Sequence, residues 1–469
     1  MAQVSDQEVK GMAVEVTPGL LAKYDKPGPR YVSYPMAPEW RADFGDADYR
    51  AALERASEAA VEPLSIYVHL PFCWQRCLFC GCNVVISKRQ DVSQKYLDYV
   101  YREIAMAAEA LGARKTVKQL HWGGGTPTYL TVPQIEELHG RLAAHFDIAT
   151  DAEVAIEVDP RITTRAQLEK LRELGFNRIS MGVQDLDPEV QRAIGRNQSE
   201  EQTREIFALC RELGFGGTNM DLIYGLPLQT LETWERSIRA AIDIRPDRLA
   251  VYNYAHIPSK IKHQRRMEGF ERPQGPVKYD LFALARRLFL AAGYRAIGMD
   301  HFALPEDELA LAMDERRLHR NFMGYTVVPA ADMVAFGVSA IGEVGGVYAQ
   351  NEKRPVMYYK ALDESCFPTL CGIQLSEDDT IRRWLIRQLM CNFYLSFEEL
   401  TQRFGVDYGT YFAREEADLA EFYAEAFVER RSDGLHVLPL GEVFIRNVCM
   451  VFDAYLRKPG HFTGFSRTV

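Results

Sequence analysis

The sequence has no long apolar run. No stretch approaches the roughly 18 residues that a membrane-crossing helix needs. Its start, Met1-Ala-Gln-Val-Ser-Asp-Gln-Glu8, is polar and slightly acidic, without a secretory-signal core. These absences exclude a membrane enzyme and lead to the expectation of a cytoplasmic one. An excess of positive charge is also missing: 55 Lys and Arg against 65 Asp and Glu give a formal net charge of −10. That argues against nucleic acid as the main partner, and an anionic substrate would need a basic pocket working against the overall field. There is no internal repeat and no low-complexity segment. Nine cysteines in 469 residues, four of them clustered, suggest a reducing compartment rather than a disulfide scaffold. What remains, 47 % apolar and 26 % charged, is an ordinary globular composition in a chain long enough for more than one domain.

The four clustered cysteines, Cys73, Cys77, Cys80 and Cys82, read C-x3-C-x2-C-x-C inside Tyr67-Val-His-Leu-Pro-Phe-Cys-Trp-Gln-Arg-Cys-Leu-Phe-Cys-Gly-Cys82. Thiolates at such short spacing converge on one metal centre. The spacing differs from the paired C-x2-C of zinc ribbons and from the ferredoxin run C-x2-C-x2-C. A structural zinc knot or plain buried cysteines are the ordinary alternatives. Three thiolates on a [4Fe-4S] cube would leave one iron without a protein ligand and open to a small molecule. The isolated Cys210, Cys366, Cys371, Cys391 and Cys449 read as buried structural residues.

From about residue 64 a short apolar run, a loop and a longer amphipathic stretch alternate. The runs are 65–70, 117–122, 153–158, 178–183, 219–224 and 248–254, with helical segments at 95–110, 133–144, 165–174, 200–213 and 231–244. Such βα units predict a parallel sheet. Six units are too few for a closed eight-fold barrel, so the expected fold is α/β, an open partial (β/α)6 barrel. The organisation reads as an arm with a helix over 1–60, a catalytic domain over 61–372 and a smaller, mainly helical domain over 373–469. Ligands of parallel βα barrels bind at the C-terminal strand ends. There the cysteine loop is joined by Gly123-Gly-Gly-Thr-Pro127, Glu157-Val-Asp-Pro160, Met181-Gly-Val-Gln-Asp185, Asp221 with Gly225-Leu-Pro227, and Asn253-Tyr-Ala-His256.

The motif Tyr-x-His-x-Pro-Phe-Cys-x3-Cys-x2-Cys followed by Gly-Gly-Gly-Thr-Pro resembles the radical S-adenosylmethionine (SAM) superfamily. Cys82, the arm Pro29-Arg-Tyr-Val-Ser-Tyr-Pro35 and the end Gly464-Phe-Ser-Arg-Thr468 resemble one family within it, the oxygen-independent coproporphyrinogen III oxidases (dehydrogenases) of haem biosynthesis. The resemblance spans about residues 24–469, although Val32 and Met36 stand where threonines are expected. It implies a [4Fe-4S] cluster on Cys73, Cys77 and Cys80, with SAM on the open iron and Cys82 outside the ligand set. Tyr67, Gly124, Glu157 and Ile341 match positions that hold this SAM, with Tyr67 counted beside the cysteines as catalytic. Gly125, Thr126, Gln184, Arg196, Asp221 and Ala255 match those of a second SAM. The implied reaction is anaerobic: a 5′-deoxyadenosyl radical takes hydrogen from a propionate, and two propionates of coproporphyrinogen III become the vinyl groups of protoporphyrinogen IX.

For that tetra-anionic substrate, Arg30, His256, His301, Arg320 and Arg467 are the candidate contacts, with structural ion pairs or hydrogen bonds the alternative for each. Tyr31 and Tyr34 either cover the site or anchor the arm, and His69 is either a satisfied core histidine or a donor beside the cluster. The implied partners are the porphyrinogen and an electron donor such as a flavodoxin or ferredoxin, with neither nucleic acid nor membrane, and a monomer is expected. Two other functions share parts of the pattern: a haem-delivering chaperone without decarboxylase activity, and a radical SAM methyltransferase.

Overall fold

The computed structural model describes residues 14–328, 332–460 and 464–468. The polar stretch Met1–Glu8 lies outside the described residues. The six apolar runs form β1 (Leu64–Leu70), β2 (Thr116–Gly124), β3 (Asp147–Val158), β4 (Arg178–Gln184), β5 (Gly217–Tyr224) and β6 (Arg248–Asn253), paired in parallel in chain order. All but one residue of β1 is buried, as expected of a parallel strand covered on both faces. Four connecting helices begin on capping boxes at Thr131, Thr164, Ser199 and Thr230, worth about 1 kcal/mol each. These caps fix where each loop ends, and so which residues remain to line the strand ends.

Six further strands enlarge the sheet beyond the expected six: β7 (Arg295–Ile297), β8 (His301–Ala303), β9 (Asp332–Phe336), β10 (Ile341–Val344), β11 (Val347–Asn351) and β12 (Thr369–Gln374). The order is β12-β11-β10-β9-β1-β2-β3-β4-β5-β6-β8-β7. β9 joins β1 in parallel, with Leu64 opposite Asp332 and Val68 opposite Phe336, whereas β8 runs antiparallel to β6. The edge strands do not pair with each other, so the sheet is open.

β12 ends at Gln374, and Ser376 caps the helix Glu377–Asn392 that follows. The C-terminal region is mainly helical but also holds a three-stranded antiparallel sheet of Tyr394–Ser396, Gly434–Val437 and Val428–Arg430. Its core takes in Tyr24, Tyr31 and Tyr34 of the N-terminal arm. The arm and tail pair with each other: Gly28 N donates to Ser466 O at 3.0 Å and Thr468 N to Lys26 O at 2.9 Å. Arg446, buried at 5 % exposure, clamps both segments. It donates to Pro29 O at 2.8 Å, to Arg467 O at 2.7 Å, and to Gly28 O and Ser466 O. Burial, and then nearby Arg30, pull its pKa down to about 9.

A second buried group, Glu103, ties the helix Gln90–Ala110 to the turn after β9. Its carboxylate accepts from Gly337 N at 2.8 Å, Asn351 Nδ2 at 2.6 Å and Tyr358 OH at 2.5 Å. Burial outweighs these donors and pushes its pKa from 4.5 to about 7.

Arg446→Ala should cost on the order of 3 kcal/mol by stranding buried carbonyls, and should open the arm and tail to limited proteolysis before the sheet is attacked. Because the folded-state pKa of Glu103 is raised, its contribution to stability is fully present below pH 4.5 and lost as pH rises through about 7. Urea midpoints of wild type and Glu103→Gln should therefore diverge across that window, by at most about 3 kcal/mol.

Candidate active site

The cysteine loop leaves the C-terminal end of β1 and closes on itself. Phe72 and Cys73 pair in parallel with Val85 and Ile86, and Ser87 N donates to Cys73 O at 3.1 Å. The end of β2 packs against it: Gly125 N donates to Leu70 O at 2.9 Å and Thr126 N to Phe72 O at 2.8 Å. The glycines are required by this approach. A Cβ on Gly123 would sit 2.8 Å from Glu157 Oε1, one on Gly124 (φ +116°) 2.6 Å from His69 Cε1, and one on Gly125 2.7 Å from the backbone of Pro71 and Phe72.

Cys73, Cys77, Cys80 and Cys82 line one cavity of about 320 Å³. Gly124, Gly125, Thr126, Glu157, Gln184, Arg196 and Asp221 complete its walls together with Asp159, Arg161 and Tyr252. Among the described residues no three His, Cys, Asp or Glu side chains close on one point as a single ion would need. The four cysteines share one cavity. Thr126 Oγ1 lies 3.6 Å from Cys73 Sγ, and Arg161 Nη2 and Arg196 Nη1 each lie 3.7 Å from Cys77 Sγ. The side-chain contact between Cys80 and Cys82 pulls Cys80 down and pushes Cys82 up, and the Cys82 N–H also donates to Cys80 Sγ at 3.4 Å. Burial pushes Cys73 up to about 11. The donor set fits a thiolate-bound iron–sulfur cluster, with Cys82 supporting Cys80 from beside the set.

The carboxylates are held across the cavity. Glu157 Oε2 accepts from Gly124 N at 3.0 Å, and its Oε1 faces His121 Nε2 at 3.3 Å. Asp221 accepts from Asn219 Nδ2 at 2.7 Å, and burial, followed by the charge of Glu157, pushes it up to about 6. Gln184 takes a left-handed backbone (φ 73°) at a register shift between β4 and β5. This is a bulge of the kind that redirects a side chain beside a site. Arg196 is buried; it donates to Gly182 O and to Gln198 Oε1 at 3.1 Å, and lies 3.5 Å from Asp159.

Other expected residues are placed differently. Tyr67 lies behind the glycines and donates to His69 Nδ1 at 3.0 Å, because His69 Nε2 gives its proton to Asn83 O at 3.1 Å. His69 is thus a satisfied, neutral histidine that joins strand to loop. Ala255 adjoins the cysteine loop through Gln264, whose Nε2 donates to both Ala255 O at 3.2 Å and Phe79 O at 3.1 Å. Ile341 packs with Trp40, Tyr348 and Ile373, away from the cavity walls. Tyr31 donates to Asp453 at 3.1 Å and Tyr34 accepts from Ala454 N at 3.1 Å, so both anchor the arm.

None of the five substrate candidates lines the cysteine cavity. Asp300 pairs with Arg30 at 2.6 Å and with His301 at 2.7 Å, and against the effect of burial these partners and Arg320 hold its carboxyl well below the usual range. Arg320 donates to Arg30 O at 2.8 Å, and Arg467 pairs with Asp25 on the surface. His256 contacts Tyr254 OH at 3.0 Å and leaves its buried Nε2 without a partner among the described residues. Asp159 belongs to the strand-end segment Glu157–Pro160 without being singled out in it, and Arg161 lies outside every motif. Their place just beyond the C-terminal end of β3 was the available signal. Cys210, Cys391 and Cys449 are buried, whereas Cys366 and Cys371 are half-buried.

An open parallel sheet with a three-cysteine loop after its first strand and a glycine cradle after its second defines a radical SAM protein. The Radical SAM superfamily profile matches residues 67–241, and that of the HemN C-terminal domain matches residues 375–444. The chain is 45 % identical over 450 residues to an oxygen-independent coproporphyrinogen III oxidase of Salmonella typhimurium, covering 96 % of this chain and 98 % of that one. It is 44 % identical to its counterpart in Escherichia coli over the same shares of both chains. The solved structure of coproporphyrinogen III oxidase (HemN) from Escherichia coli superposes with a TM-score of 0.89 at 42 % identity, covering 94 % of this chain and 100 % of that one. The chain belongs to the oxygen-independent coproporphyrinogen III oxidase family.

Serine in place of Cys73, Cys77 or Cys80 should abolish cluster iron after anaerobic reconstitution, since a hydroxyl is a poor iron ligand. Cys82→Ser should retain it. Iron and sulfide analysis with the visible absorption spectrum decides, and equal loss in all four would refute the three-ligand assignment.

Proposed function

We propose that this protein converts two propionates of coproporphyrinogen III to vinyl groups without oxygen, giving protoporphyrinogen IX. The observation that carries this reading is the convergence of Cys73, Cys77, Cys80, Gly124, Gly125 and Thr126 on one cavity, in a chain 45 % identical over nearly its whole length to an enzyme of that name. Cys73, Cys77 and Cys80 would hold a [4Fe-4S] cluster to which SAM binds. The family resemblance assigns Tyr67, Gly124, Glu157 and Ile341 to this SAM and Gly125, Thr126, Gln184, Arg196, Asp221 and Ala255 to a second. Of these, Tyr67, Ile341 and Ala255 stand outside the cavity walls and would act from behind them. When bound, the cluster and SAM would supply the one-electron radical chemistry that the oxidative decarboxylation of a propionate requires.

The chain's own residues bind and orient. Glu157 already accepts one N–H and can accept ribose hydroxyls with its remaining lone pairs. The missing Cβ atoms of the glycines let backbone polar groups reach a ligand. Arg196 and Arg161 place positive charge beside the Cys77 sulfur. The protein works as a cytoplasmic monomer reduced by a flavodoxin- or ferredoxin-like donor, with an arm, a catalytic domain and a C-terminal domain. No helix among the described residues is long and apolar enough to cross a membrane.

Anaerobic turnover is the test. Reconstituted protein with SAM, a reductant and coproporphyrinogen III should yield protoporphyrinogen IX and 5′-deoxyadenosine. An intact cluster with neither product would sink the assignment. Stoichiometric haem binding without turnover would point instead to a chaperone, and S-adenosylhomocysteine as product to a methyltransferase.

A further inference from the structure

We propose that the face formed by residues 74–89 and 260–270 is the docking surface for an acidic one-electron carrier protein. The proposal rests on the reading above, because SAM cleavage needs electrons delivered singly to the centre held by the cysteine loop. The carrier loses one electron and the cluster gains it; no bond forms or breaks in that step.

Three observations place the carrier here. The first is apolar exposure directly against the loop. Trp74 follows Cys73 and is 48 % exposed, and Ile86, opposite Cys73 in the small parallel pair, is 40 % exposed. Phe270, at 40 %, ends the neighbouring segment. Exposed large hydrophobics occur elsewhere too, but Trp74 and Ile86 flank the first cysteine itself, where a partner protein can cover them.

The second is a short 3-10 helix, Lys262–Met267, lying over the other end of the same loop. His263 Nε2 contacts Cys80 O at 2.8 Å and Gln264 donates to Phe79 O. With His263 and Gln264 turned onto the loop, Lys262, Arg265 and Arg266 are exposed to solvent, and Lys260 precedes them.

The third is the local absence of negative charge. Residues 63–90 and 257–267 contain no Asp or Glu, in a chain whose net charge is −10. Lys88 and Arg76 add to the cations and Arg89 is paired with Asp91; the exposed Glu268 is the one acidic residue within 74–89 and 260–270, and Glu271 lies just beyond the second segment. An acidic carrier is repelled by the net charge of the molecule and attracted by the cations of this face. That charge pattern orients the encounter rather than merely tightening it.

The test follows reduction of the reconstituted cluster by a reduced, acidic flavodoxin, using absorbance and electron paramagnetic resonance, with dithionite as a small-molecule control. The triple variant Lys262→Glu, Arg265→Glu, Arg266→Glu should be reduced by flavodoxin at least about tenfold more slowly at low salt. The gap should shrink as ionic strength rises above about 0.15 M. Iron content and dithionite reduction should match wild type. Equal flavodoxin rates in both proteins would overturn the proposal, as would equal slowing with dithionite, which would mean that the helix only shapes the loop. A wild-type dimer abolished by the variant would also overturn it, assigning the face to a second copy of the chain. The readout needs no porphyrinogen: charge-dependent reduction in a protein that makes no protoporphyrinogen IX would support the docking face while overturning the assigned reaction.

Discussion

The approach of the end of β2 to the cysteine loop is the contact on which the rest of the site depends. Three consecutive residues without a Cβ let that strand end touch His69, Pro71, Phe72 and Glu157 at distances no side chain would permit. Everything else is hung from this contact. Thr126 reaches Cys73 because Gly125 lies flat against Leu70. Glu157 is oriented because the N–H of Gly124 points at it. A methyl group at any of the three would separate the loop from the carboxylate side of the cavity, which makes shape at these positions more demanding than chemistry.

Electrostatics around the loop runs opposite to that of the chain. Arg161 and Arg196 approach Cys77, Cys82 donates to Cys80, and the loop itself carries no carboxylate. Positive charge and an N–H donor are thereby placed against two of the cysteine sulfurs inside a molecule of net negative charge. The buried acids are handled by other means. Asp300 is neutralised by Arg30 and His301, while Glu103 has only uncharged donors and sits near the neutral end of its range.

Local patterns made much of this legible in the sequence. The six strands were marked by apolar runs bounded by turn residues, and the strand-end rule of parallel sheets located the site before any coordinate. What could not be read has a common cause: it depends on partners far apart in the chain. β9 pairs with β1 across some 270 residues, so a short run at 332–336 carries no local sign of its place. For Arg30 and Arg320 the sequence leaves substrate contact and structural ion pair open, because Asp300 comes close to them only after folding. Ile341 and Tyr67 show the same limit from the other side, since a motif fixes their chain position but not which neighbours they meet. Arg446 had no motif at all, and its role exists only where arm and tail come together.

The place of β1 within the sheet has a consequence for durability. It is an interior strand, hydrogen-bonded on one side to β2 and on the other to β9. The loop that follows it, by contrast, is fastened by a two-residue pair, a few backbone bonds and contacts from the 3-10 helix. Damage at the cysteines therefore need not propagate into the fold. Oxidative loss of a metal centre from such a loop would leave a folded, protease-resistant scaffold that can be refilled, so that the lifetime of the polypeptide is uncoupled from that of its cluster.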